Sequence, residues 1–457
     1  MHSDARDGHG VPAAQRGARQ TPKKTSEEAP RVVVTGVGIV NPCGIGKQAF
    51  ARRLWAGETA VGPIERFDAG AFPARVAGEI RTFDAKDFVP RRLLVKTDRF
   101  AHYAIAASEL ALRDAALDLQ GEDPYRVGVW FGNNAGGWDI CERGFRELYR
   151  EGAQLINPWQ ATAWFPTAAQ GFVTIRFGIK GISKSFVCDR ASGAAALHHG
   201  VRALRRGRLD VVLAGGSEAP LTSFGLTCYS STGELAPAVA PGASCHPFDV
   251  RRRGLVLGEG STVLILETLA HAQARGAPIL GEICGSAMGT DPDPSQTSAF
   301  VRVLRTVLRT FAPSTAGAPS AAGAPSAADV DVVFAEGCGL PLADAVEASA
   351  LAQAFGRQDV PVSVPKTAYG HLYGASGVTE LACGLLAMEQ GSLPPTLGSE
   401  QHDAGCPVRV IGRREPRKVR HFVVQSRARE GVTVALAVKA FAEERPTTFH
   451  AQQEEQP

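Results

Sequence analysis

The stretch Phe186-Val187-Cys188-Asp189-Arg190-Ala191-Ser192-Gly193-Ala194-Ala195-Ala196-Leu197 decides the fold. With the segment Asp210–Leu213 and the closing Ala214-Gly215-Gly216, it reads as a strand end, a tight turn, a helix and a second strand. The helix starts with small residues, Ala191–Leu197, so it can approach other backbone closely. The turn lifts one side chain to the mouth of that helix. The peptide dipoles there favour an anion, such as a thiolate nucleophile. The residue lifted here is a cation, Arg190.

Working outward, the chain of 457 residues is long enough for one large α/β unit or for two to three domains. Its apolar fraction of 44% supports a large core. A net charge of +3 is too small to argue for nucleic acid or an acidic membrane surface. No apolar run reaches the ~20 residues of a membrane span, and the N-terminus lacks the apolar core of a signal peptide. Nine cysteines without Cys-x-x-Cys or Cys/His spacing suit a reducing cytoplasm and give no metal site.

Residues 1–29 are polar and aperiodic and read as a disordered tail, as do 442–457 at the other end. Arg31–Val40 is a buried strand. Its Gly36-x-Gly38 lacks the third glycine of a dinucleotide fingerprint, so no such cofactor is expected. Apolar spacing predicts a helix from about Asp98 to Leu117, then a strand Val127–Phe131 and a helix Trp138–Tyr149. Trp138, Cys141 and Phe145 share one face of that last helix. Strands alternate with helices through two halves, 30–279 and 280–441. The repeated Ala-Gly-Ala-Pro-Ser-Ala at 312–328 reads as a low-complexity surface loop.

The decisive stretch resembles the nucleophile elbow of β-ketoacyl synthases, condensing enzymes of the thiolase fold. Their elbow reads Cys-Ala-(Ser/Thr)-Gly and is followed at a fixed distance by Leu-Ala-Gly-Gly. Arg190-Ala191-Ser192-Gly193 and Leu213-Ala214-Gly215-Gly216 keep that register, so Arg190 stands in the place of the catalytic cysteine. Three further stretches carry the resemblance. His246–Gly260 is similar to the family's Pro-Phe-Asp…Gly-Glu-Gly segment, with Arg253 and Leu255 replacing its usual Asp and Phe. Ala335-Glu336-Gly337-Cys338-Gly339 stands where Ala-His-Gly-Thr-Gly is usual, so Glu336 replaces the first catalytic histidine. Lys366 and Gly370-His371 match the retained lysine and second histidine, and Glu347 matches the lysine's usual acidic partner. Where the family has a Gly-Phe-Gly-Gly gating loop, this chain has Arg427-Ala428-Arg429-Glu430. The resemblance implies a five-layer αβαβα sandwich of two duplicated halves, with the site between them.

Condensation needs a nucleophile to hold an acyl group, and a guanidinium is always protonated and not nucleophilic. It also needs donors for the developing oxyanions, and Glu336 is an acceptor. A cation at a helix N-terminus is disfavoured by up to ~1 kcal/mol, and a buried unpaired guanidinium costs several kcal/mol more. Arg190 therefore needs an anion. An Arg190–Glu336 ion pair is the expectation, with Asp189 as the local alternative. Lys366 with Glu347 is read as a structural ion pair and His371 as a packing residue.

Among β-ketoacyl synthases the chain is similar to chain-length factors, the ketosynthase β subunits of type II polyketide synthases. In those, the Gly-Gly-aromatic helix lines a tunnel at the dimer interface. Trp138, Cys141 and Phe145 are thus a core stripe, a tunnel lining, or both, and a large Trp138 favours a short or narrow tunnel. The implied role is a non-catalytic subunit that pairs as a heterodimer with an active ketosynthase and works on acyl carrier protein. It would use no cofactor and bind neither nucleic acid nor membrane. Two enzyme readings stand beside it: a decarboxylase or acyltransferase acting through His371, and an active 3-oxoacyl synthase using Cys188 as nucleophile.

Overall fold

The computed structural model describes residues 29–237, 245–311 and 327–441. Of the expected tails, 1–29 and 442–457, and the low-complexity loop 312–328, positions 1–28, 442–457 and 312–326 lie outside the described residues. Residues 327–329 form a single 3-10 turn.

The first half runs β1 (Val32–Asn41), α1 (Arg99–Asp114), β2 (Val127–Gly132), α2 (Trp138–Arg150), α3 (Ala168–Phe177), β3 (Lys184–Phe186), α4 (Ser192–Arg205), β4 (Val211–Glu218), α5 (Ser223–Ser231) and β5 (Gly260–Thr268). The second runs β6 (Gly281–Thr290), α6 (Ser298–Leu308), β7 (Val332–Phe334), α7 (Pro341–Phe355), β8 (Val360–Ser363), α8 (Ser376–Gln390), β9 (Val408–Val410), β10 (His421–Arg427) and β11 (Val432–Lys439). Hydrogen bonding runs unbroken through two five-stranded sheets joined edge to edge, β3-β2-β4-β5-β1 and then β6-β11-β10-β7-β8, with β9 added beside β8. In the first sheet β3, β2 and β4 are parallel, and β5 and β1 then alternate antiparallel. In the second, β8, β7 and β10 are parallel, and β11 and β6 alternate in the same way. Equal order and equal directions establish the duplication. The sheets meet where β1 pairs with β6, Val33 opposite Glu282 and Val34 opposite Gly281.

Three cores define five layers. One lies between the first sheet and α1 and α3, with Phe100, Ile105, Val129 and Val173. Another lies between the second sheet and α6 and α7, with Phe300, Leu304, Val333 and Leu351. The largest fills the middle, where α4 and α8 lie between the two sheets and bring Leu197, Val201, Val378 and Leu381 together. The β strands are rich in Val and Ile because both faces are covered.

Glycine sets how close the halves come. A Cβ on Gly193 would lie 2.3 Å from the Gly374 carbonyl oxygen, and one on Gly216 would lie 2.1 Å from it. This contact carries the elbow onto residues 371–376. It also explains one boundary. The sequence places the end of β4 after Leu213, yet the strand continues to Glu218, because Gly215 and Gly216 pair with Val263 and Thr262 of β5 and with Phe131 and Gly132 of β2.

Candidate functional site

Asp189 takes a left-handed φ of 49°, and α4 starts three residues later. The Ser192 hydroxyl donates to the Asp189 carbonyl at 2.6 Å and accepts from Cys188 N–H at 2.8 Å, which fixes the turn. Arg190 stands at its apex with 3% of its surface exposed. Its Nε lies 3.4 Å from Asp189 Oδ2 and its Nη1 lies 3.6 Å from Glu234 Oε2. Both are ion pairs, but neither nitrogen completes a hydrogen bond. Burial alone would lower the Arg190 pKa; Asp189, Glu336 and Glu234 outweigh it and keep the side chain charged.

From the second half, β7 delivers Glu336 and the turns after β8 deliver Lys366 and His371. His371 Nδ1 accepts from Tyr373 N–H at 3.0 Å, so the neutral ring carries its proton on Nε2. That Nε2–H donates to Glu336 Oε1 at 2.5 Å. Burial, helped by Lys366 and Arg190, lowers the His371 pKa against the pull of Glu336, so the ring stays neutral. Burial would raise the Glu336 pKa, but Lys366, His371 and Arg190 hold the carboxyl below its ordinary value.

Two expected pairs are corrected. Arg190 does not pair with Glu336: Glu336 is taken by His371 and Lys366 of its own half, at 2.5 and 3.7 Å. Arg190 is held instead by the local alternative Asp189 and by Glu234. Lys366 does not pair with Glu347. Its Nζ lies 2.6 Å from Glu380 Oε1 and donates to the Ala335 carbonyl at 3.2 Å. Glu347 is occupied by the backbone N–H groups of Glu336 and Gly337, at 2.8 and 2.9 Å, and by the Gln425 amide.

The sequence reading missed Glu234, Glu380 and Gln425. Glu380 had a signal, because it is the acid in the buried part of the apolar helix Ser376–Gln390. Glu234 had none; it follows a turn and meets Arg190 only through folding.

Between β10 and β11, where the sequence departs from a gating loop, the chain forms a tight hairpin. Ala428 N–H donates to the Val432 carbonyl at 2.8 Å, and Gly431 has φ 86°. Arg429 N–H donates to Asp189 Oδ2 at 2.9 Å, pinning the hairpin to the elbow. The buried Arg427 guanidinium lies over the Phe300 ring, 4.9 Å from its centroid, and donates to the Pro294 and Gln296 carbonyls.

Chemically, neither ring nitrogen of His371 is free for a substrate, so the histidine-driven enzyme reading has no donor to work with. Cys188 packs against the central core, and burial, Asp189 and Glu430 raise its thiol pKa. It is also absent from the cavity that Arg190 and Glu336 share, so the Cys188 reading has no support in the geometry.

Trp138 is packed between Phe224 and Tyr229, with ring centroids 5.4 and 5.5 Å away. Tyr229 meets Tyr373 at 4.6 Å, and Tyr373 meets His371 at 5.0 Å. A file of rings thus joins the site to α2. Phe145 lies on the same face, 44% exposed, against Phe224; Cys141 is half-buried.

This is a thiolase-like scaffold with ion pairs at its elbow and on the turns that face it. The N-terminal domain of beta-ketoacyl synthases matches residues 29–272 and the C-terminal domain matches residues 313–400. The chain is 37% identical to the actinorhodin polyketide putative beta-ketoacyl synthase 2 of Streptomyces coelicolor, over 90% of this chain and 99% of the relative. It is also 37% identical to the tetracenomycin polyketide synthase ketoacyl synthase beta subunit of Streptomyces glaucescens, over 89% and 98%. Its structure superimposes on the ishigamide ketosynthase/chain length factor with a TM-score of 0.81 at 26% identity, covering 91% of this chain and all of that one. The chain belongs to the beta-ketoacyl synthase family.

Proposed function

We propose that this chain is a non-catalytic, chain-length-factor-like subunit that pairs with a cysteine-bearing ketosynthase in the cytoplasm and helps elongate acyl chains on acyl carrier protein. The carrying observation is the 2.5 Å contact of His371 Nε2 with Glu336, beside an arginine at the nucleophile's position. It leaves the scaffold without nucleophile or free histidine donor, while the fold is kept throughout. The relatives named as beta subunits and the chain-length-factor structure support the same reading. Trp138, Cys141 and Phe145 line the growing chain's path in this proposal, with Trp138 setting its end. All nine cysteines are free, which fits a reducing compartment. Among the described residues no helix is long and apolar enough to cross a membrane.

The test is to purify the chain and a cysteine-bearing ketosynthase encoded beside it, each alone and together, and measure mass and condensation. A heterodimer active only in combination is expected, and Trp138→Ala in that heterodimer should lengthen the product. A homodimer that decarboxylates malonyl carrier protein unaided would refute the proposal.

A further inference from the structure

Arg190 lines a cavity of about 410 Å³ that opens between the elbow, the start of α7 and the 428–431 hairpin. Most of the wall surface is apolar, from residues such as Pro294, Leu340, Leu342 and Ala428, with Leu342 at the mouth and 62% exposed; Arg427 and Arg429 and the carboxylates of Glu234, Glu336 and Glu347 also reach it. Arg190 is almost fully buried, yet its Nε and Nη1 have no hydrogen-bond partner. Such donors in a water-poor site seek an acceptor, and the planar guanidinium fork matches a carboxylate in particular.

Asp189 and Glu234 pair with Arg190 as charges, at 3.4 and 3.6 Å, but neither accepts a hydrogen bond from Nε or Nη1. Glu336 is committed to His371 and Lys366, and Glu347 to two backbone amides and Gln425. Glu234 stands at 3.6 Å, too far for a hydrogen bond. Burial raises its carboxyl pKa against the pull of Arg190. A doubly charged anion such as phosphate would face these carboxylates without an apolar part to match the walls. A singly charged head on an aliphatic tail suits both ends of the cavity.

We propose that the cavity binds an aliphatic monocarboxylate, its carboxylate on Arg190 and its chain along Pro294, Leu340, Leu342 and Ala428. The binding is non-covalent and separate from any condensation chemistry.

Titration calorimetry on the full-length chain, with hexanoate, hexan-1-ol and inorganic phosphate as probes, tests this. Saturable one-site binding of hexanoate is expected, at least tenfold tighter than hexan-1-ol or phosphate. Arg190→Met should weaken hexanoate at least tenfold. Because that variant strands Asp189 and Glu234 and could fail to fold, Leu342→Trp provides the second arm. It fills the mouth from an exposed position, and it should abolish hexanoate binding while its thermal melt stays that of the parent. Equal binding of hexanoate and hexan-1-ol, tighter phosphate binding, no saturable hexanoate binding, or hexanoate binding unchanged in a folded Arg190→Met or Leu342→Trp would each overturn the site. The readout needs no partner subunit, so its failure leaves the pairing role standing, and the reverse also holds.

Discussion

Glu336 holds three buried groups in balance. It accepts the His371 proton donor, faces Lys366 at 3.7 Å and takes Arg427 N–H at 3.3 Å. Removing one partner from a buried ion pair leaves an uncompensated charge and costs about 3–5 kcal/mol. Glu336→Ala should lower the unfolding free energy by roughly that much in urea denaturation. The pH dependence follows from the same contacts. The folded Glu336 pKa lies below its ordinary value of 4.5, so the unfolded chain binds this proton first as pH falls. Its contribution is present above 4.5 and is lost as pH drops through the folded value. His371, held below its ordinary 6.5, adds a loss that begins as pH falls past 6.5. In the curve of denaturation midpoint against pH these two losses set in as pH falls below 6.5, while buried acids with raised pKa, Glu218, Glu347 and Glu380 among them, act in the opposite sense. Glu336→Gln should flatten the most acidic part of that curve; an unchanged slope would refute the assignment. Arg190 and Glu336 were legible as departures from a motif. Their partners were legible only in part, because ion pairing depends on which carboxylate the turns bring within reach. The sequence offered Glu336, with Asp189 as the local alternative, for the arginine and Glu347 for the lysine; packing kept Asp189, added Glu234 and gave the lysine Glu380.

Elements with a strong apolar period were legible: β1, β2 and α2 lie within one residue of their expected bounds, and α1 ends three residues early, at Asp114. The end of β4 was not, since glycines read as a stop until pairing on both edges is known. The hairpin after β10 was legible only as a missing gating loop. Its shape depends on Gly431, which has φ 86° and would place a Cβ 2.1 Å from the Asp291 carbonyl oxygen. A non-glycine residue held in such a conformation costs about 1–3 kcal/mol before any clash is counted. Gly431→Val should therefore lower the melting temperature by several degrees or more, read by circular dichroism. Detachment of the hairpin should also free Asp189, which accepts from Arg429 N–H. A melt equal to the parent's would mean that the hairpin does not brace the elbow.

The whole molecule stands on contacts between its halves. The central layer is shared, with α4 from the first half and α8 from the second. The inner face of each sheet is covered only when both helices are present, and the Gly193–Gly374 approach leaves no room for a looser fit. Duplication was legible in the alternation of strands and helices and in motifs split across the halves; the edge that joins β1 to β6 was not. Residues 30–279 and 280–441 expressed separately should each be insoluble, and co-expression should recover a folded pair. A soluble, cooperatively melting first half alone would contradict this. The shared layer also fixes a waiting time at the ribosome. The helix Ser192–Arg205 emerges long before the helix Ser376–Gln390 that covers it. At ~5–20 residues per second the nascent chain carries an open apolar face for about 10–40 s. Chaperone supply during translation, more than the stability of the finished subunit, then sets how much of it a cell can make.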